Sequence, residues 1–82
     1  MHYVLSDHAQ LRMTRRKISK QLITDAIEHP TKISYDVRGR LLMVYRYQKG
    51  NKFRLLLISE VYRDTIFRVI TVIDTTKVKK YL

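Results

Sequence analysis

The run Ser6-Asp7-His8-Ala9-Gln10-Leu11-Arg12-Met13-Thr14-Arg15-Arg16-Lys17-Ile18-Ser19 contains the start of one helix, its end and the start of the next. Ser6 is an N-cap residue, because its hydroxyl can accept a hydrogen bond from an otherwise unpaired N–H of the first turn. Asp7 then sets a negative charge at the positive end of the helix dipole. At about 100° per residue, with His8 at 0°, Arg12 falls at about 40°, Arg15 at about −20° and Arg16 at about 80°. One imidazole and three guanidiniums therefore share a stripe roughly 100° wide. Ala9 and Met13 lie beside it and can face a core. Packed together, these cations repel one another. They need an anion, or they must splay into water.

The helix, about Asp7 to Arg16, must stop at Lys17-Ile18 without a glycine, so a residue with a Cβ makes the turn. Ser19 caps a second helix whose Leu22, Ile23, Ala26 and Ile27 fall within an arc of about 140°. Pro30 pushes His29 towards extended geometry and ends that helix. Before Ser6, Met1 to Leu5 is a short extended lead-in, suited to an edge strand. After Pro30 the period changes. Lys32 to Val37 is a short strand, with Arg38-Gly39 as a hairpin turn that Asp36 helps to close. Arg40 to Gln48 is rich in strand formers. Lys49 to Lys52 is a second turn. In Phe53 to Tyr62, Phe53, Leu55, Leu57 and Val61 share one face, and Leu56 and Ile58 the other. Arg63-Asp64-Thr65 turns the chain again, and Ile66 to Asp74 is the most strand-like run. The tail from Thr75 to Leu82 is basic and aromatic.

Helices first and a meander after predict an α+β fold: two N-terminal helices on one face of a four-stranded antiparallel sheet. The other face is left for a ligand. The 82 residues suffice for one domain with a modest core. Seventeen Lys and Arg against seven Asp and Glu give a net charge of +10, which predicts a polyanionic partner, most simply nucleic acid. With no cysteine there is no disulfide framework and no thiolate chemistry. No apolar run reaches the ~20 residues of a membrane span, and no signal-peptide core follows Met1, so a cytoplasmic protein is expected.

The pattern Ser6, His8, Ala9, Arg12, Met13, Arg16, Ile18, Ser19, followed by Val69-Ile70-Thr71-Val72-Ile73, Thr75 and the Lys77 to Tyr81 tail, resembles the bacterial and archaeal family catalogued as domain of unknown function 4258. That family usually carries glycine where this chain has Lys17. It is similar in turn to the compact ribonuclease-toxin superfold of RelE-type toxins, barnase and colicin nucleases. The resemblance implies a RelE-like fold over residues 1–82, RNA bound on the exposed sheet face, and cleavage without a metal.

Such cleavage needs a base for the 2′-OH, a cation for the charge on the phosphorane and an acid for the leaving oxygen. Arg12 and Arg16 are candidates to hold the phosphate, since their planar forks match its oxygens. His8, with Tyr81 or Lys77, is the candidate for moving protons. Arg15, Arg46, Arg54, Arg68, Lys79 and Lys80 are the candidate RNA-binding residues. Several of these alternate with tyrosines on strands, where guanidiniums meet phosphates and rings stack on bases. Other roles fit the same residues. Arg12 and Arg16 can pair with Asp25, Glu28, Glu60 or sheet carbonyls, and Tyr81 can pin the C-terminus to the core. The three histidines lack ligand spacing and the seven carboxylates are scattered, so no metal or other cofactor is expected. The expected function is RNA binding with metal-independent endoribonuclease action of toxin type, held in check by an acidic antitoxin protein. The competing expectation is a non-catalytic nucleic-acid-binding or protein-interaction module of the same fold.

Overall fold

The computed structural model describes residues 3–35, 37–63 and 66–82, with the side chains of residues 62 and 63 left aside. In chain order the elements are β1 (Tyr3–Leu5), α1 (Asp7–Arg16), α2 (Lys20–Glu28), β2 (Lys32–Tyr35), β3 (Leu41–Lys49), β4 (Lys52–Arg63), β5 (Ile66–Thr75) and α3 (Val78–Tyr81). The fold is α+β. Its sheet has five strands in the order β1-β5-β4-β3-β2, not four. It is also mixed, not wholly antiparallel: β1 runs parallel to β5, with Tyr3 opposite Phe67 and Leu5 opposite Val69. The lead-in becomes a strand because α1 starts where β1 ends. There the Ser6 N–H donates to the Val69 carbonyl at 3.0 Å, and Ser6 Oγ donates to the Ile70 carbonyl at 2.7 Å. The remaining pairs, β5–β4, β4–β3 and β3–β2, are antiparallel, as hairpin-length connections require.

The helix limits follow from their caps. Ser6 Oγ accepts from the Ala9 N–H at 3.0 Å, and Ser19 Oγ accepts from the Leu22 N–H at 3.1 Å. Lys17 closes α1 in the left-handed region, at φ 54° and ψ 45°. A β-carbon makes that geometry cost about 1–2 kcal/mol, and the Ile18 N–H bond back to the Met13 carbonyl helps to hold it. Gly50, at φ 63°, opens the two-residue turn between paired Lys49 and Lys52. Gly39, at φ 77°, follows β2 in the Arg38-Gly39 turn. The expected help from Asp36, and the turn through Asp64 and Thr65, lie outside the described residues.

Alternation along β4 sends its side chains to both faces of the sheet. Leu56 and Ile58 join Met43, Val69 and Val72 beneath the helices, which contribute Ala9, Ile23, Ala26 and Ile27. Leu55 and Leu57 join Val44 on the other face, where Val78 and Tyr81 of α3 pack over them. Both helices α1 and α2 thus cover one face, as the one-sided pattern of Leu22, Ile23, Ala26 and Ile27 implied. The sequence pattern did not indicate α3, a single turn on the opposite face. No helix among the described residues is long and apolar enough to cross a membrane.

Ile23 and Ile27 are 0 % and 2 % exposed. Truncating either to alanine is expected to cost about 2–5 kcal/mol, read from thermal or urea melts. Unchanged melting of both variants would show that α2 does not seal the core.

Candidate nucleic-acid interface

Helix α1 turns Ala9 fully inward and keeps Met13 half-buried, which leaves its cations on the flank and the outer surface. His8, Arg15 and Arg16 are exposed, and Arg12 is intermediate. None of these four side chains has a hydrogen bond or ion pair among the described residues. The pairing of Arg12 and Arg16 with Asp25, Glu28 or Glu60 is therefore absent there. Asp25 instead accepts from Gln21 Nε2 at 2.8 Å. Four groups, three of them permanently charged guanidiniums, stand on one helix with no anion paired to them among the described residues.

The second group of candidates is elsewhere. Lys77 precedes α3, and Lys79, Lys80 and Tyr81 belong to it. Tyr81 packs on Val44, Leu55 and Leu57, while α1 packs on the face that carries Met43, Leu56 and Ile58. Neighbouring residues of a strand point to opposite faces, so the sheet separates His8, Arg12 and Arg16 from Lys77 and Tyr81. A catalytic set drawing on both is not brought together. Tyr81 instead holds the tail down, with Lys80 Nζ lying 5.5 Å from its ring centre.

The strand cations divide in the same way. Arg46 is exposed on the α3 side, with its guanidinium 4.2 Å above the Phe53 ring centre. Arg68, exposed and registered with Val4 and Val61, lies on that side too. With Lys77, Lys79 and Lys80 nearby, this face carries a second basic surface. It also exposes Val4, Phe53, Ile66 and Ile73.

Arg54 is different. Its Nε donates to Asp74 Oδ1 at 2.9 Å, and Tyr47 OH donates to the same oxygen at 2.7 Å. Burial disfavours the Asp74 charge, but the two hydrogen bonds outweigh it and hold the carboxyl below its ordinary value. Burial, reinforced by the bond to Asp74, pushes the Tyr47 hydroxyl up to about 12. Tyr45 stacks against Tyr47, with ring centres 6.4 Å apart and planes 7° apart. Arg54 thus serves the fold on the helix-covered side and is spoken for as a phosphate ligand. Its partner was hard to see in the sequence, because Arg54 and Asp74 come together only through the β4–β5 register. Glu60, named above as a possible partner of Arg12 and Arg16, is 0 % exposed and bonds neither. Alternation from Leu56 and Ile58 already placed it inward.

The described residues contain no group of three or more His, Asp or Glu placed to hold a metal ion. An open cleft of about 290 Å³ lies beside α1, lined by Leu5, Gln10, Met13, Thr14, Ile18 and Lys20. It holds none of the candidate residues.

A family model described as domain of unknown function (DUF4258) matches residues 5–74. No curated protein and no solved structure gives a match.

Two arginines on neighbouring strands should respond differently to substitution. Arg54→Lys loses the Nε bond and should lower the melting temperature near neutral pH. Arg46→Ala, at an exposed side chain, should leave it nearly unchanged. Because the Asp74 carboxyl is held low, the Arg54 effect is present above the ordinary Asp range and fades as pH falls through the lowered value. Equal losses of stability in both variants would remove the distinction.

Proposed function

We propose that the chain, which belongs to the DUF4258 family, binds RNA through the cationic stripe of α1. The observation that carries this reading is the state of His8, Arg12, Arg15 and Arg16: grouped on one helix and without a partner among the described residues. Buried or paired arginines serve packing. Accessible unpaired ones on a chain of net charge +10 remain available to phosphates. The exposed Arg46 and Arg68, with Lys79 and Lys80, extend the positive field around the other face and favour long strands over short ones.

Cleavage is the further step of the same reading, as a metal-independent endoribonuclease of toxin type with a RelE-like fold. With Lys77 and Tyr81 on the opposite face, α1 has to supply the chemistry by itself. His8 takes the proton from the attacking 2′-OH and returns it to the leaving 5′-oxygen, while Arg12 and Arg16 hold the phosphate and offset the charge that develops on it. An acidic protein that covers α1 would silence such an activity by occupying the same cations. A binding module without cleavage is the alternative that the separation of the two residue groups favours.

The experiment is RNA binding and RNA cleavage in EDTA, measured beside thermal melting. Affinity should fall steeply with salt, with a logarithmic slope of about −2 if three phosphates are neutralised on a single strand. Arg12→Lys and Arg16→Lys keep the charge but lose the fork. They should weaken binding while melting stays unchanged, since neither side chain bonds among the described residues. If His8 transfers protons, His8→Ala should slow cleavage by about 10²–10⁴-fold with binding intact. Salt-independent binding, or a large fall in melting for the lysine variants, would overturn the reading. A gel shift without cleavage would leave the binding module.

A further inference from the structure

A carboxyl group is sealed beneath the helix layer with no bond to any described residue. Glu60 lies in β4 and is 0 % exposed. In register it stands opposite Leu41 of β3 and Val69 of β5, both packed into the cluster under α1 and α2. Neither Oε1 nor Oε2 has a hydrogen-bond partner among the described residues. The β4–β5 register shifts between Ser59 and Glu60, and the Ser59 hydroxyl, on the opposite face, is also buried and unpartnered. Such irregularities re-aim side chains, and here one of them adjoins a carboxyl in the apolar layer.

Other groups on the surrounding elements do not supply a counter-charge. On the helix-covered side these are Tyr3 of β1, Arg12 of α1, Asp25 of α2, Tyr45 and Tyr47 of β3, and Asp74 of β5. Tyr3 bonds Thr24, Asp25 bonds Gln21, and Tyr47 bonds Asp74, which also pairs with Arg54. His8, Arg15, Arg16, Lys20 and Glu28 on the two helices are exposed. None of these groups bonds Glu60. An isolated ionised carboxylate is strongly disfavoured in such a place. Either the group keeps its proton or the cover opens to let water in.

We propose that Glu60 is a proton-controlled latch: protonated, it lets α1 and α2 seal on the sheet, and ionised, it loosens that helix layer. Burial pushes the carboxyl up from 4.5 to about 7. Between those values the folded chain binds a proton that the unfolded chain has released. Stability is therefore greatest below the unfolded value and is lost as pH rises through about 7, the reverse of the Asp74 case. The latch does not depend on RNA binding.

The test compares the wild-type chain with Glu60→Gln in urea melts across about pH 5 to 8.5 at constant ionic strength. Gln keeps the shape and cannot ionise. The wild-type folding equilibrium constant should fall by roughly a hundredfold over that range, and the variant should lack this fall. Every other ionisable group is common to both proteins, so the difference between the curves isolates Glu60. Parallel curves would overturn the latch. If the Gln variant does not fold, carbon-13 NMR of the wild-type Glu60 carboxyl replaces it. A midpoint near 7, with amide exchange in α1 and α2 accelerating above it ahead of β3 and β4, supports the latch. A midpoint near the ordinary 4.5, or exchange that ignores pH, sinks it.

Discussion

Burial of β4 on both of its faces is the constraint from which the rest of the architecture follows. Leu55, Leu56, Leu57 and Ile58 are each no more than 3 % exposed, so a single strand contributes to two apolar layers at once. Antiparallel strands often leave one face to water, but the middle of β4 is covered on both. Two helices cover the side of Leu56 and Ile58, while the side of Leu55 and Leu57 is covered by one turn of helix carrying Val78 and Tyr81. The larger cover is strongly anchored through Ala9, Ile23, Ala26 and Ile27. The smaller cover has no fully buried residue of its own.

Charge is sorted by the same partition. Arg54, which meets the covered layer, is given Asp74 and Tyr47 as partners. Where a cation lies outside, it is left to solvent or to a ligand, as on α1 and at Arg46 and Arg68. Net charge therefore understates the contrast between the inside and outside of this chain. Arg54 is neutralised within the covered layer, and the arginines of α1 are displayed without a partner among the described residues.

Much of this was legible from local chemistry. Ser6 and Ser19 cap helices because their hydroxyls reach N–H groups three residues on. The missing glycine at Lys17 meant that a residue with a Cβ makes the turn, and that residue adopts the left-handed conformation. The alternation in β4 assigned its two faces. What stayed hidden was set by long-range pairing. Three residues of extended chain, Tyr3 to Leu5, do not encode a parallel partner more than sixty residues away. The tail's Tyr81 and the helix's His8 looked compatible in one site because sequence does not say which side of a sheet a returning chain will take. Arg54 read as another surface cation because its partner is fixed by the β4–β5 register. In each case the residue type was informative and its neighbour was not.

The parallel pairing of β1 with β5 affects the order in which this molecule can assemble. Residues 3–5 and 67–69 meet near the start and the end of the sheet's sequence, so α1 has no wall to dock on until β5 has formed. The hairpins β3–β4 and β4–β5 close over short distances, whereas this contact spans most of the chain and carries a greater loop-closure penalty. During synthesis, then, the apolar sides of α1 and α2 emerge well before the strand that buries Ala9 against Val69 and Val72. The cations on the same helix are displayed throughout that interval, and their mutual repulsion keeps nascent chains apart while the apolar surface waits for its cover.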